Sequence, residues 1–290
     1  MYTHFITPHQ LAEHYQDADW AIVDCRHDLT NPNWGFQDYQ RAHIPGAVFA
    51  HLDHDLAGPI TATTGRHPLP SPDMFKQKLE EWGIDPETQV IAYDTTGGGF
   101  AARLWWMLRL IDHYRVALLD GGLAAWQAAG YATKSGIEHR IPTHWQSPLA
   151  FNPAMMVEAH EVERIRQHPA FRLIDARAPE RYSGEVEFID PVAGHIPGAV
   201  NRFHGQNLQP DGALKPLETL RQEFLDLLDG VQPQNAVLYC GSGVTSCHHL
   251  IAMEAVGLFG ARIYAGSWSE WIRDPKRPQV KGKSSTTSSD

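Results

Sequence analysis

The chain of 290 residues repeats itself, and this limits its architecture more than any other feature. Ile22-Val23-Asp24-Cys25-Arg26 returns as Leu173-Ile174-Asp175-Ala176-Arg177, and His43-Ile44-Pro45-Gly46-Ala47-Val48 returns unchanged as His195 to Val200. Val90-Ile91-Ala92-Tyr93-Asp94 corresponds to Ala236-Val237-Leu238-Tyr239-Cys240. Gly121-Gly122-Leu123-Ala124-Ala125-Trp126 is echoed by Gly266-Ser267-Trp268-Ser269-Glu270-Trp271. The matches keep their order, and the offset between copies drifts by only a few residues, as small loop changes would produce. The halves therefore read as a duplicated domain of roughly 130 residues, an ordinary domain size and too long a period for a solenoid.

Each half reads as α/β. Short apolar runs at Ala21–Asp24, Val90–Tyr93, Val116–Leu118, Leu173–Asp175, Val237–Tyr239 and Ala261–Tyr264 suit buried strands. Helical spacing falls between them, over Pro72–Trp82, Ala101–Leu110, Leu217–Asp229 and Thr245–Val256. Strands alternating with helices predict a mainly parallel sheet flanked by helices on both faces. Each Pro-Gly of the repeated His-Ile-Pro-Gly-Ala-Val marks a tight turn into a further strand. The expected boundaries are a first domain over 1–135, a linker over 136–156 within the polar, proline-punctuated stretch from Lys134 to Pro153, a second domain over 157–280, and a disordered Gly/Ser/Thr-rich tail over 281–290.

The formal charge of −10 argues against nucleic acid or an anionic membrane as partner. The 17 histidines are scattered without zinc spacing, and no metal or organic cofactor is expected. Three cysteines, Cys25, Cys240 and Cys247, cannot form a disulfide framework and fit a reducing cytoplasm. Met1 to Gln10 lacks a basic, apolar leader pattern, and no run approaches the ~20 apolar residues of a membrane span. A cytoplasmic monomer is the expectation.

The chemistry concentrates at Val237-Leu238-Tyr239-Cys240-Gly241-Ser242-Gly243-Val244-Thr245-Ser246, a strand, a glycine loop and a helix start. Gly241 and Gly243 let the chain curl so that successive N–H groups point inward, and the helix start adds further unpaired donors. Such a cradle stabilises an anion and lowers a cysteine's pKa from its usual ~8.5. Cys240 thereby becomes a nucleophile, and a terminal persulfide sulfur, also anionic, would sit in the same place. Val244 limits access of water. Cys247 reads as a core residue, and Cys247-His248-His249 points to different helix faces rather than to one metal. In the first half the cysteine's position is Asp94, which cannot carry sulfur. A Cys-x5-Arg phosphatase loop is disfavoured because Ser246 stands where its arginine would be.

The Asp-x-Arg, His-Ile-Pro-Gly-Ala, Cys-Gly-Ser-Gly-Val-Thr and Gly-Ser-Trp-x-Glu-Trp motifs resemble the tandem rhodanese family, over roughly residues 5 to 275. The resemblance implies two rhodanese-like domains, the first inactive and the second carrying the sulfur on Cys240. It implies an enzyme, a sulfurtransferase acting by a ping-pong persulfide route. The loop is similar to that of the 3-mercaptopyruvate branch, because Gly241 and Ser242 are not the basic residues of the thiosulfate branch. By the same resemblance Ser242 acts with His67 and Asp53, Arg181 grips the donor carboxylate with Arg177 nearby, and Gly241, Gly243, Val244 and Thr245 line the donor cradle. Mercaptopyruvate enzymes carry a second arginine before His-Ile-Pro-Gly. Here Glu185 to Val192 has none, so Arg66 or Arg103 is expected to replace it, and thiosulfate stays open as donor. Cyanide, a small thiol or thioredoxin is the expected acceptor. A sulfur-relay carrier is the non-enzymatic alternative.

Overall fold

A computed structural model of the chain describes residues 1–282. The expected tail therefore lies outside the described residues from 283 onward. Among the described residues there are two five-stranded sheets, and every strand pair in them is parallel. The first contains β1 (Phe5–Ile6), β2 (Trp20–Asp24), β3 (Val48–Phe49), β4 (Gln89–Tyr93) and β5 (Val116–Leu119), in the order β1-β5-β4-β2-β3. The second contains β6 (Met156–Val157), β7 (Arg172–Asp175), β8 (Val200–Asn201), β9 (Ala236–Tyr239) and β10 (Arg262–Tyr264), in the order β6-β10-β9-β7-β8. The duplication read from short motifs thus extends to strand order.

The central strands are apolar throughout because both faces are covered. In the second sheet Leu173, Val237, Tyr239 and Tyr264 share one core with Val162 and Ile165 of helix Ala159–Ile165 and with Trp268 and Trp271 of helix Ser267–Trp271. The alternating residues Ile174, Leu238 and Ile263 are also fully buried, and helix Ser246–Ala255 packs back on β9 and β10. The expected longer helices occur over Pro72–Glu81, Ala101–Leu110, Leu217–Leu228 and Ser246–Ala255.

The repeated motifs are structural ties. Arg26 Nη2 meets Asp24 Oδ2 at 2.6 Å in the first half, and Arg177 Nη2 meets Asp175 Oδ2 at 2.7 Å in the second. All four side chains are buried. The histidine of each His-Ile-Pro-Gly bonds a tyrosine carbonyl through Nδ1 and stacks on that tyrosine's ring, His43 on Tyr39 and His195 on Tyr182. Each turn also gives a backbone N–H to a strand tyrosine, Ile44 to Tyr93 and Ile196 to Tyr239.

The compact units are not simply the two halves. One unit comprises Met1–Pro59, Leu69–Pro153 and Asn207–Leu217, and the other comprises Ile60–Pro68, Ala154–Gln206 and the chain from Glu218 onward. The stretch expected as a linker belongs largely to the first unit. There Trp145 is buried, its indole N–H donates to the Ile84 carbonyl, and its backbone N–H donates to Glu80.

Candidate active site

Cys240 directly follows β9, and the loop after it leads into helix Ser246–Ala255, with Thr245 at the N-cap. The loop's shape is set by its glycines and by the chain after β10. Gly243 has φ of +75°, and a Cβ there would strike the Ala265 carbonyl oxygen. The Cys240 N–H donates to Ser267 Oγ at 3.1 Å, and the Cys240 and Gly241 carbonyls accept from Trp268 N–H (3.1 Å) and Ser269 N–H (2.9 Å). The terminal Gly-Ser-Trp motif therefore clamps the cysteine loop, a role the repeat alone did not disclose.

The Cys240 side chain is buried, and the whole residue is only 2% exposed. Burial pushes its thiol pKa up. The Thr245 hydroxyl and then the Ser242 and Ser246 N–H groups, which favour the thiolate, outweigh this, so the pKa falls below its ordinary value. Cys25 shows the opposite balance: burial, then the charges of Asp24, Asp94 and Asp55, push its pKa well up. Cys247 is fully buried in the following helix, its sulfur 3.4 Å from the Gly243 carbonyl oxygen. Asp94 fills the corresponding cradle of the first half. Its carboxylate accepts from the N–H groups of Thr96, Gly98, Phe100 and Ala101 at 2.7 to 2.9 Å.

Ile60–Pro68 brings two expected residues into the second unit. Ser242 Oγ lies 2.7 Å from His67 Nδ1, with both residues 5% exposed. The Arg66 N–H donates to Ser269 Oγ at 3.0 Å. The Arg66 guanidinium donates to both oxygens of Asp190, at 2.8 and 3.2 Å. Arg181 shares that carboxylate at 3.0 Å and forms a forked pair with Glu187. A Cβ built on Gly241 would lie 2.7 Å from Arg66 Nη2 and 3.6 Å from Arg181 Nη1, so both guanidinium groups border the cysteine loop.

Arg177 and Arg103 make other contacts. Arg177 is enclosed by Asp175, the Gly194 carbonyl and the face of Trp268, and Arg26 repeats the carboxylate and carbonyl contacts, to Asp24 and Ala42, in the half without the cysteine. These contacts are those of a buried ion pair. Arg103 is buried in the first unit and donates to the Leu56 carbonyl; Arg66 borders the loop. Asp53 also lies in the first unit, where its carboxylate and nitrogen atoms of His27 and His51 fall within 4.8 Å of one another. His51 Nδ1 accepts the Asp53 N–H at 3.1 Å. Sequence reasoning missed Glu187 and Asp190, although the acids of Glu185 to Val192, where no arginine stands, were the available signal. No helix among the described residues is long and apolar enough to cross a membrane.

Two parallel sheets in the same strand order, one ending in a cysteine cradle and the other in an aspartate, define a tandem-domain protein with one thiol site. The Rhodanese-like domain family matches residues 7–129 and 158–274, and the chain belongs to that family. It is 46% identical over 279 residues to a probable 3-mercaptopyruvate sulfurtransferase of Pseudomonas aeruginosa, covering 96% of this chain and 98% of the relative. It is 36% identical to a putative thiosulfate sulfurtransferase of Mycobacterium tuberculosis, with 96% of each covered. The 3-mercaptopyruvate sulfurtransferase structure from Leishmania major superposes with a TM-score of 0.83 at 31% identity, covering 94% of this chain and 76% of that one.

Proposed function

We propose that this chain is a sulfurtransferase that moves a sulfane sulfur from 3-mercaptopyruvate to a thiophilic acceptor through a persulfide on Cys240. The observation that carries the reading is the cradle that lowers the pKa of a buried thiol, bordered by Arg66 and Arg181.

In the first step the Cys240 thiolate attacks the donor sulfur. The Sγ–S bond forms, the donor's C–S bond breaks, and its electron pair passes into the enolate of pyruvate. The donor's thiol proton ends on that carbon, so pyruvate leaves and the persulfide stays as an anion held by the same N–H groups. Ser242 and His67, hydrogen-bonded at 2.7 Å, are suited to relay that proton. Asp53 is proposed as the third member on the family resemblance. Arg181 and Arg66 are assigned the donor carboxylate, because a guanidinium fork matches it. In the second step cyanide, a small thiol or reduced thioredoxin takes the outer sulfur and restores the thiolate. A reducing compartment such as the cytoplasm suits three free cysteines.

Thiosulfate is the second reading, favoured by the same two arginines. The test is kcat/KM for mercaptopyruvate against thiosulfate on one preparation. Mercaptopyruvate is expected to lead, and Cys240→Ser is expected to abolish transfer with both donors while the fold is retained. Transfer by Cys240→Ser would remove the proposal.

A further inference from the structure

The two arginines bordering the cysteine loop do not stand alone. Asp190, its side chain 1% exposed, bridges them: Oδ1 and Oδ2 accept from Arg66, and Oδ2 also accepts from Arg181. Glu187 takes Arg181 from the other side, lies 3.6 Å from Arg177, and is itself held by the N–H groups of Ile189 and Asp190. The linked charges are Arg66, Arg177 and Arg181 against Asp175, Glu187 and Asp190, so the cluster is formally neutral. The hydrogen bonds of both guanidinium groups to these carboxylates use Nε and Nη2.

The first half shows that this is not part of the duplicated scaffold. Asp38 stands as far before His43 as Asp190 stands before His195. Asp38 pairs with Arg26, the counterpart of Arg177. Asp190 turns instead to Arg66 and Arg181. A carboxylate that ties the scaffold in one half thus holds the two arginines beside the cysteine in the other.

We propose that Asp190 is a specificity-determining positioning residue: its carboxylate holds Arg66 and Arg181 together as a two-armed clamp and cancels part of their charge, which favours a singly charged donor over a doubly charged one. The inference rests on the sulfur-transfer reading above. Coulomb attraction scales with the donor's charge, so a cluster one positive unit richer would help dianionic thiosulfate about twice as much as the mercaptopyruvate carboxylate.

The experiment measures kcat and KM for both donors on the full chain, in wild type, Asp190→Asn, Asp190→Glu and Glu187→Gln. Mass spectrometry of the Cys240 persulfide follows each reaction. Asp190→Asn is expected to shift the thiosulfate-to-mercaptopyruvate ratio of kcat/KM toward thiosulfate by about tenfold or more, mainly through KM, and added salt is expected to shrink the shift. Asp190→Glu is expected to restore most of the wild-type ratio, which a loss of packing would not do. Should Asp190→Asn not fold, Glu187→Gln removes one negative charge from the same cluster and is expected to shift the ratio the same way. A ratio unchanged within about twofold in the folded charge-removing variants, with the persulfide still forming, overturns the role of Asp190. A wild type that forms no Cys240 persulfide with either donor overturns the sulfur-transfer reading itself.

Discussion

Arg177, just before helix Pro179–Ser183, and Arg181, within it, are held differently. Arg177 is enclosed by Asp175 and Trp268, and its counterpart Arg26 makes the same pair where there is no cysteine. Removing one partner of such a buried pair strands the other charge, so Arg177→Ala is expected to destabilise the fold by about 3–5 kcal/mol, read in denaturant unfolding. Arg181→Ala is expected to raise KM for mercaptopyruvate while unfolding changes less. The motif spacing gave no means of separating their surroundings, because both arginines follow Asp175 within six residues at a helix start. Cys240 was legible, because the glycines that shape its cradle are neighbours in the chain. Its reactivity should also be visible directly. A lowered pKa means that the thiolate persists as pH falls below the ordinary thiol range, so iodoacetamide alkylation should have its midpoint below that of a free cysteine thiol. Thr245→Val should move it upward by removing a hydroxyl donor. Cys25 should stay inert across the same range.

The elements read from sequence were those with enough length to show a period. The strands on either side of each cysteine or aspartate position and the helices Pro72–Glu81, Ala101–Leu110, Leu217–Leu228 and Ser246–Ala255 fall where the apolar spacing placed them. The two-residue strands β1 and β6 and short helices such as Ser267–Trp271 carry too few residues for any periodicity to emerge. Ser267 shows what is lost by this. It sits at φ +54°, where its counterpart Gly122 sits at +58°, so the second half holds a strained backbone with a residue less suited to it. The hydroxyl explains the exchange, since it accepts the Cys240 N–H and donates to the Tyr264 carbonyl. Ser267→Ala is expected to lower kcat several-fold and slow alkylation of Cys240, with a stability loss of about 1–3 kcal/mol from the stranded N–H. An unchanged kcat would show that the clamp does not matter to the reaction.

Across the whole molecule the duplication was legible, but the exchange of segments was not. Ile60–Pro68 belongs to the second unit and Asn207–Leu217 to the first, through contacts between residues far apart in sequence. Arg66 meets Ser269 and Asp190, His67 meets Ser242, and the Arg273 guanidinium donates to the Thr64 carbonyl. Local patterning carries no trace of such pairings, so the match of His67 to a relay rests on family resemblance, and the 2.7 Å contact with Ser242 is visible only in the fold. The cysteine cradle, by contrast, is built entirely from Cys240 to Ser246 and the chain after β10. Replacing 60–68 by a Gly/Ser segment of equal length is therefore expected to leave Cys240 alkylation in place. The same change is expected to cut kcat/KM for mercaptopyruvate by about 100-fold or more, through loss of His67 and Arg66. Retained turnover would exclude both residues from the donor step.

The most direct test of the account is intact-protein and peptide mass spectrometry of the reduced chain after a stoichiometric pulse of 3-mercaptopyruvate without acceptor, with pyruvate measured in the same sample. The account predicts one added sulfur on the peptide containing Cys240, none on those containing Cys25 or Cys247, and pyruvate equal to the sulfur bound. Addition of cyanide should then remove the sulfur as thiocyanate. Pyruvate released by the chain with Cys240 unmodified, or sulfur carried on another residue, would contradict it.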